Sequence, residues 1–457
     1  MPEEGISADE APVLKQDGAR AWLVLLAGFV AYALAFGMPM SSGVFFVHVQ
    51  RVFPDANRQH VSQLVSLSYV VSMLSGLLAS FVYGLLGARR SVMLGGTIMS
   101  ASCCCVLFVR QLWSAYMVHI GIGIGSGIVM TPLFTVQTEH FAKHRRFALA
   151  AQSTGGSVGI FVLSPLFEHL VNEYNWRGAM FVIGAIVLNI VPCGLVMRRP
   201  DTIIAGKRPQ RPGAVPGRHQ ASLHDILDVS LISRPLFIFV MAVFFLVFGC
   251  VIIYLTMISA LAVSRGHSTQ AGAALMSITG CASIGGRISG ALIAKVEVIN
   301  GNMVMGTSML FCSAMLLLLT ACEQIWQFTV ACAVFGFFQG AAYSYFAPTL
   351  FELFGGAHKF HRIIGMSLFM IGLTTLLAPQ IGGRIADVYS LDAAFLAAAL
   401  GTAVACLSHA CLAFWYYRKT RTKRRPPVAS ENKNETLEIC AAEQLLRISN
   451  EEQCVDK

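Results

Sequence analysis

The chain has 457 residues, of which 12% are charged and 55% hydrophobic, and its mean hydropathy is +0.65. Because a soluble protein carries about 25% charged residues, this composition excludes a soluble enzyme, a secreted disulfide scaffold and a disordered chain. The apolar runs are continuous over about 20 residues, which excludes an outer-membrane barrel with its alternating apolar and polar positions. The composition therefore indicates a helical protein that crosses the membrane many times.

Twelve apolar runs are long enough to be membrane-spanning helices, numbered here as spans 1 to 12. They cover residues 21–47, 61–84, 91–109, 113–136, 148–170, 178–197, 235–263, 269–294, 302–321, 325–351, 363–383 and 391–416. The predicted organisation is a cytoplasmic N-tail, a six-helix bundle, a cytoplasmic linker, a second six-helix bundle and a cytoplasmic C-tail. Their boundaries are residues 1–20, 21–197, 198–234, 235–416 and 417–457.

Lys and Arg residues are distributed unevenly between the two predicted sides of the membrane. With the N-terminus inside, 26 lie in inside segments, 6 lie in outside loops and Arg287 lies within span 8. Because basic loops stay in the cytoplasm, both termini are predicted to be cytoplasmic. This distribution accounts for the formal net charge of +9 without a nucleic-acid partner. The lipid bilayer is the expected surrounding of the protein.

Glycine and proline recur at matching places in the two predicted halves. Spans 4 and 10 each carry several glycines followed by a proline, and spans 5 and 11 each carry one glycine and then one proline. These residues are Gly121, Gly123, Gly125, Gly127 and Pro132; Gly336, Gly340 and Pro348; Gly159 and Pro165; and Gly372 and Pro379. Glycine and proline are common in membrane helices generally, which is the alternative explanation. The matched positions favour an internal repeat, the arrangement on which alternating access depends.

Four stretches at the ends of spans combine glycine with basic residues, and three of them also contain aromatic residues. They are Asp17-Gly18-Ala19-Arg20-Ala21-Trp22, Gly87-Ala88-Arg89-Arg90, residues 140–159 with Arg145 and Arg146, and Asn175-Trp176-Arg177-Gly178-Ala179. Together they resemble the motifs of the monocarboxylate transporter family, within the major facilitator superfamily. The resemblance implies a 6+6 bundle that transports by alternating access. It also implies motif or gating roles for Asp17, Gly18, Trp22, Arg89, Arg90, Arg145 and Arg146.

Arg287 in span 8 is flanked by small residues, including Gly286 and Gly290. A charge inside the membrane is costly and marks a functional path, and arginine can bind a carboxylate through two parallel hydrogen bonds. The alternative is an arginine that reaches the inner interface, but Lys295 lies eight residues further on, about 12 Å along a helix. The resemblance agrees with binding, because monocarboxylate transporters place a substrate-binding arginine in this helix. We predict that Arg287 holds the carboxylate of a small organic anion.

Two positions depart from the proton-coupled members of the resembled family. Those members have an aspartate one turn before the arginine, where this chain has Ser283, and a lysine after a proline in span 1, where this chain has Met40. Because proton coupling needs a titratable group, we expect a facilitator, an exchanger or symport through other ligands rather than ordinary lactate–proton symport. His119 in span 4 is the histidine best placed for a proton site, and a hydrogen-bonded structural histidine is the alternative.

Aromatic residues on spans 1 and 10 complete the predicted substrate-binding set. The set is Arg287, Tyr343, Tyr345, Phe36, Met40 and Ser283, and packing between helices is the alternative role of its aromatic members. Aromatic side chains there would favour a substrate with an apolar or aromatic body.

The sequence carries no nucleotide-binding loop and no metal-ligand spacing. We therefore expect no enzyme, catalytic residue, metal or cofactor. A non-transporting receptor or scaffold, or a carrier of aromatic amino acids or other amphipathic solutes, is the competing interpretation. Plasma-membrane localisation is expected. Some members of the resembled family need a single-span accessory glycoprotein for sorting, and the sequence leaves open whether this chain needs such a partner.

Overall fold

The computed structural model describes residues 16–53, 58–197, 233–296, 300–354 and 360–424, and every regular element within these ranges is helical. The N-half, defined as residues 19–196, contains α1 (Ala19–Ser41), α2 (Phe46–Val52), α3 (Arg58–Leu74), α4 (Gly76–Cys104), α5 (Leu112–His140), α6 (Arg145–Val187) and α7 (Ile190–Val196). Short 3-10 turns, Ser42–Phe45 and Cys105–Phe108, follow α1 and α4.

The C-half, defined as residues 235–410, contains the next six helices. They are α8 (Pro235–Ser264), α9 (Thr269–Ile293), α10 (Gly301–Thr320), α11 (Ile325–Phe354), α12 (Phe360–Val388) and α13 (Leu391–Arg424). The end of α13, from Cys411, belongs to a separate unit. Most of the predicted N-tail, residues 198–232 of the linker and the C-tail from residue 425 lie outside the described residues.

Nine helical segments in the described ranges are long and apolar enough to cross a membrane. This confirms the predicted multi-pass all-α class, while the number twelve and the side of the termini stay predictions. Segments Gly76–Phe108 and Arg145–Val196, with 33 and 52 residues, exceed the roughly 20 residues of one crossing. Helices α4 and α6 within these segments each contain one residue with positive φ, Gly87 at 73° and Asn175 at 58°. The helices therefore run into the predicted connections and break there at one residue.

The glycines of spans 4 and 10 make equivalent contacts in the two halves. In each half, two glycines four residues apart pack over two backbone carbonyls of a neighbouring helix, on α3 in the N-half and on α9 in the C-half. A Cβ at Gly123, Gly127, Gly336 and Gly340 would lie 2.8, 2.5, 2.3 and 2.2 Å from the carbonyl oxygens of Ser68, Ser72, Thr279 and Ser283. Only glycine permits this approach, so the predicted repeat has a counterpart in helix packing.

The glycines of spans 5 and 11 do not make equivalent contacts in the two halves. A Cβ at Gly159 of α6 would lie 2.1 Å from the carbonyl oxygen of Ala33 on α1, within the N-half. A Cβ at Gly372 of α12 would instead lie 2.7 Å from the backbone nitrogen of Leu74 on α3, in the other half. The matching glycines of these two spans therefore serve different interfaces.

The two halves touch backbone to backbone where α4 crosses α12. A Cβ at Gly76 would lie 2.4 Å from the carbonyl oxygen of Gly365, and a Cβ at Gly365 would lie 2.5 Å from that of Gly76. Because real Cβ atoms do not approach so closely, each glycine is required by the position of the other.

Replacing Gly365 by alanine should therefore destabilise the protein by about 1–3 kcal/mol, the usual cost of overpacking. The thermal unfolding midpoint of the purified protein should fall. Gly383→Ala, in the same helix, is the matched control because nothing lies within 4 Å of an added Cβ there. Equal unfolding midpoints for the two variants would contradict the close crossing.

Candidate functional site around Arg287

The guanidinium of Arg287 is buried where helices of the two halves meet. Its residue is only 4% exposed, and Nη1 donates a hydrogen bond of 2.9 Å to the backbone carbonyl of Ser153 on α6. The carbonyl of Arg287 accepts a hydrogen bond of 3.0 Å from Ser344 Oγ on α11. Arg287 thus belongs to α9 of the C-half but is bonded to α6 of the N-half.

Small residues beside Arg287 set the distance between α9 and α11. A Cβ at Gly286 would lie 1.8 Å from the carbonyl oxygen of Phe337, and one at Gly290 would lie 3.0 Å from Cβ of Ser344. This close packing brings the guanidinium carbon of Arg287 to 4.4 Å from the centre of the Tyr343 ring. The geometry is that of a cation–π interaction, worth about 2 kcal/mol or more when desolvated.

Aromatic side chains from both halves surround the guanidinium. The Tyr343 ring of the C-half packs on the guanidinium, and Tyr32 and Tyr69 of the N-half lie nearby. Phe36 stacks on Tyr32 with 5.4 Å between ring centres and meets Tyr69 edge-on at 5.9 Å. The predicted residue Phe36 therefore supports the two tyrosines of this site.

No described partner of the Arg287 guanidinium is a carboxylate. Its described contacts are with one backbone carbonyl and the Tyr343 ring, and Nε has no hydrogen-bond partner among the described residues. A buried charge without a counter-ion is unfavourable, and arginine has five N–H donors. The site is therefore electrostatically suited to an anion that pairs with the Nε edge.

Two other residues of the predicted substrate-binding set contact neighbours other than the Arg287 guanidinium. Ser283 Oγ, one turn before Arg287, donates to Gln339 Oε1 at 3.1 Å, so this turn carries a neutral pair. Tyr345 is 1% exposed but lies towards α10, because a Cβ at Gly301 would be 3.3 Å from its ring. The structure thus brings Tyr343, and not Tyr345, to Arg287.

Met40 and His119 also lie apart from the guanidinium in the described contacts. Met40 is 38% exposed near the end of α1, and no described contact joins it to Arg287. His119 is 1% exposed, and its Nδ1 lies 3.0 Å from the backbone carbonyl of Ala115, one turn earlier in α5. This geometry is that of a hydrogen-bonded histidine within its own helix.

Sequence reasoning did not identify Tyr32, Tyr69, Gln339 or Ser153 as parts of this site. Tyr32 lies four residues before Phe36 and therefore on the same helical face, which is a signal that could have identified it. Ser153 takes part through its backbone carbonyl, for which the side chain gives no signal.

Two of the family-like motifs contact each other on the predicted cytoplasmic side. The Asp17 carboxylate accepts hydrogen bonds from the backbone N–H groups of Ala142, Lys143 and His144, at 3.2, 3.0 and 3.1 Å. Gly18 is the N-cap residue of α1. Trp22, in the first turn, meets the Phe141 ring edge-on at 5.3 Å. The N-terminal motif thus holds the loop that leads into α6.

Basic residues of that loop and of α6 reach across to the C-half. Arg146 Nε lies 2.8 Å from Glu352 Oε1 on α11, and Arg145 lies over the Phe351 ring at 4.5 Å. In the opposite direction, Lys295 lies over the Phe147 ring at 4.7 Å. These contacts join the two halves on the predicted cytoplasmic side of Arg287.

Arg89 and Arg90 are placed differently from Arg145 and Arg146. They follow the helix break at Gly87, with Arg89 half-buried and Arg90 exposed. The described contacts assign them no partner in the C-half.

A family model described as the Major Facilitator Superfamily matches residues 24–359 and 300–449 of the chain. The chain belongs to the major facilitator superfamily. Membership of this superfamily of transporters agrees with the prediction that the chain is not an enzyme. It also confirms a multi-pass membrane protein.

Individual relatives and solved structures show which proteins of this kind the chain is similar to. The chain is 25% identical over 397 residues to monocarboxylate transporter 2 of Meriones unguiculatus, which covers 82% of this chain and 80% of that protein. It is 26% identical to monocarboxylate transporter 12 of Xenopus laevis, with 87% and 88% covered. Both confirm the resemblance drawn from the motifs. The transporter FucP in the outward conformation is similar in fold, with a TM-score of 0.69, 15% identity and coverage of 86% and 98%.

The charge of Asp17 should contribute to stability in a pH-dependent way. Burial acts to raise the pKa of this carboxyl, but hydrogen bonds from the backbone of Lys143, His144 and Ala142 lower it below its ordinary value of 3.8. The contribution is therefore fully present above pH 3.8 and is lost as the pH falls through the lowered pKa. Asp17→Asn should lower the unfolding midpoint at neutral pH, and its difference from the wild type should narrow below pH 3.8.

Asn is the suitable replacement because Asp17 has a φ of 63°, a conformation that asparagine tolerates. A loss of stability in this variant then measures the loss of the carboxylate charge and not a change in backbone conformation. An unchanged unfolding midpoint at neutral pH would show that the Asp17 hydrogen bonds do not hold the loop.

Proposed function

We propose that this protein is a secondary transporter of a small, monocarboxylate-like organic anion. Arg287 binds the substrate carboxylate, and transport proceeds by alternating access between the two halves. The single observation that supports this most strongly is a buried guanidinium that has no carboxylate partner among the described residues and is hydrogen-bonded across the two halves. The names of the relatives support a monocarboxylate as the substrate class.

The surroundings of Arg287 favour a substrate whose body is apolar or aromatic. Tyr343 offers its ring face to the guanidinium, and Tyr32 and Tyr69, which pack against Phe36, add aromatic surface from the N-half. An anion bound there would pair its carboxylate with Arg287 and pack its body against these rings. Aromatic acids and amphipathic monocarboxylates are therefore better candidates than very small, fully hydrated anions.

Alternating access requires the contacts on the predicted cytoplasmic side to break and re-form. In the described conformation, Arg146 pairs with Glu352 and Arg145 covers Phe351, and these contacts lie on the predicted cytoplasmic side of Arg287. Separation of these pairs would open the cytoplasmic path. Arg146 lies on the same helix as Ser153, which accepts the hydrogen bond from Arg287.

Coupling to protons is not part of the proposal. Ser283 and Gln339 form a neutral pair one turn from Arg287, and neither side chain titrates in the physiological range. We propose facilitated diffusion or exchange of the anion. The expected location is the plasma membrane. No contact used in this proposal involves an accessory glycoprotein.

Saturable counterflow in proteoliposomes tests the substrate site. Arg287→Ala and Arg287→Lys should each lower counterflow of the best transported monocarboxylate at least about tenfold, because lysine cannot form the two parallel hydrogen bonds of a guanidinium. Arg110→Ala, which removes an exposed arginine, should leave counterflow unchanged. A pH-sensitive dye inside the same vesicles should detect no stoichiometric proton entry.

Wild-type counterflow by an Arg287→Ala variant that folds and inserts normally would refute the role of Arg287. Absence of counterflow by the wild type, across monocarboxylates and aromatic amino acids, would instead favour a non-transporting receptor or scaffold. Ser283 in place of the aspartate of the proton-coupled members is the observation that keeps this second candidate in view.

A charge exchange tests the cytoplasmic contact between the halves. Arg146→Glu and Glu352→Arg should each lower counterflow, because either change puts two like charges at the contact where Arg146 Nε now lies 2.8 Å from Glu352 Oε1. The double variant restores an opposite-charge pair and should recover much of the lost counterflow. A double variant no more active than the single ones would contradict a gating role for this pair.

A further inference from the structure

An apolar groove lies between α4, α8 and α12, separate from the site around Arg287. It has a cavity volume of about 490 Å³ and is lined by Leu77, Phe237, Ile238, Met241, Ala242, Phe245, Met366, Phe369 and Met370. The volume falls within the range of about 300–1,000 Å³ that is common for ligand sites. Because the lining consists of aliphatic, aromatic and thioether side chains, it suits a hydrocarbon and not a polar substrate.

The close crossing of α4 and α12 creates one side of the groove. Gly76 and Gly365 bring these helices into backbone contact, and the groove residues Leu77 and Met366 directly follow them in sequence. Helix α8 completes the groove, with a hydrogen bond of 3.6 Å from Ser367 Oγ to Met241 Sδ joining α12 to α8. The groove is thus built into the contact between the two halves.

The groove opens sideways, towards the space that the bilayer occupies. Ile238 and Ala242, one turn apart on α8, are exposed, whereas Phe237 and Met241 beside them are buried. From Phe237 to Phe245 the lining extends about 12 Å along α8. An acyl chain from the adjacent leaflet could enter the groove without crossing a polar region.

Two arginines lie close in sequence to groove residues, at the end of the groove nearer the predicted cytoplasmic surface. Arg234, the N-cap residue of α8, precedes Ile238 by four residues, and Arg362 precedes Met366 by four residues on α12. Residues four apart share one helical face, so Arg362 lies one turn from Met366. Arg234 has an extended backbone at the N-cap and directly precedes the first turn of α8, which contains the groove residue Phe237. Basic residues at this depth attract anionic lipid headgroups.

We propose that this groove binds one anionic phospholipid of the inner leaflet. One acyl chain occupies the groove, and the phosphate lies near Arg234 and Arg362. The linker, which ends beside Arg234, is a poorer occupant because it would have to turn back into the membrane with Asp225 and Asp228. A lipid bound here would contact both halves and would favour the conformation in which α4 and α12 touch.

Native mass spectrometry of the full-length protein, delipidated in mild detergent, tests this proposal. Phosphatidylserine and phosphatidylcholine with identical chains are titrated separately. The wild type should bind one phosphatidylserine more tightly than any phosphatidylcholine. Arg234→Gln should weaken phosphatidylserine binding about fivefold, the effect of one basic residue at the membrane surface, and should weaken phosphatidylcholine binding less, because the choline ammonium offsets the phosphate charge.

Filling the groove tests the position of the acyl chain. Ala242→Trp should weaken phosphatidylserine binding at least about tenfold, the loss expected from exposing two methylene groups. Two matched controls should bind lipid as the wild type does. Ala410→Trp adds the same side chain at an exposed alanine near the predicted cytoplasmic end of α13, and Lys143→Gln removes an exposed cytoplasmic charge.

Three results would overturn the proposal. They are equal binding of the two lipids by the wild type, unchanged binding by both Ala242→Trp and Arg234→Gln, and no retained lipid at all. The last would point to linker residues 221–232 as the occupant of the groove. Because lipid binding is measured without transport, these outcomes are independent of the role proposed for Arg287.

Discussion

The burial of one guanidinium between the two halves is the constraint on which the rest of the structure depends. Insertion of an arginine at this depth costs about 2.5–3.5 kcal/mol on the translocon scale. The carbonyl of Ser153 and the ring of Tyr343 offset part of that cost. Gly286 and Gly290 are required because they let α9 and α11 pack closely around it. The charge that stays unpaired is what makes an anion a favourable ligand.

Helix α6 connects this site to the contacts on the predicted cytoplasmic side. It carries Arg146, which pairs with Glu352, and Ser153, which accepts the hydrogen bond from Arg287. These two residues are seven positions apart, or about 10 Å along the helix. Asp17 fixes the loop before α6 through three backbone hydrogen bonds. A carboxylate paired with the Nε edge would bind a guanidinium whose Nη1 is already bonded to the Ser153 carbonyl, so ligand binding and the position of α6 are physically linked.

The hydropathy and charge of the chain predict the all-α membrane class. The presence of Arg287 as a single charge within an apolar span predicts a functional role for this residue. The sequence pattern does not predict which distant segments of the chain contact each other. Tyr343 and Tyr345 are equivalent as sequence candidates, yet a rotation of about 100° per residue directs them to different neighbours, Arg287 and α10. Tyr69 is brought to the site by the packing of α3 against the bundle. The helix breaks at Gly87 and Asn175 are single residues with positive φ, where sequence predicts longer loops.

If Arg287 recognises the carboxylate of the substrate, ligand-induced stabilisation of the protein will report this without requiring transport. A ligand present at 100 times its Kd raises the free energy of unfolding by about 2.7 kcal/mol. The thermal unfolding midpoint of purified wild-type protein should rise with a monocarboxylate and stay constant with the corresponding neutral amide. The Arg287→Ala variant should respond to neither. An equal rise of the midpoint in wild type and Arg287→Ala would contradict the account.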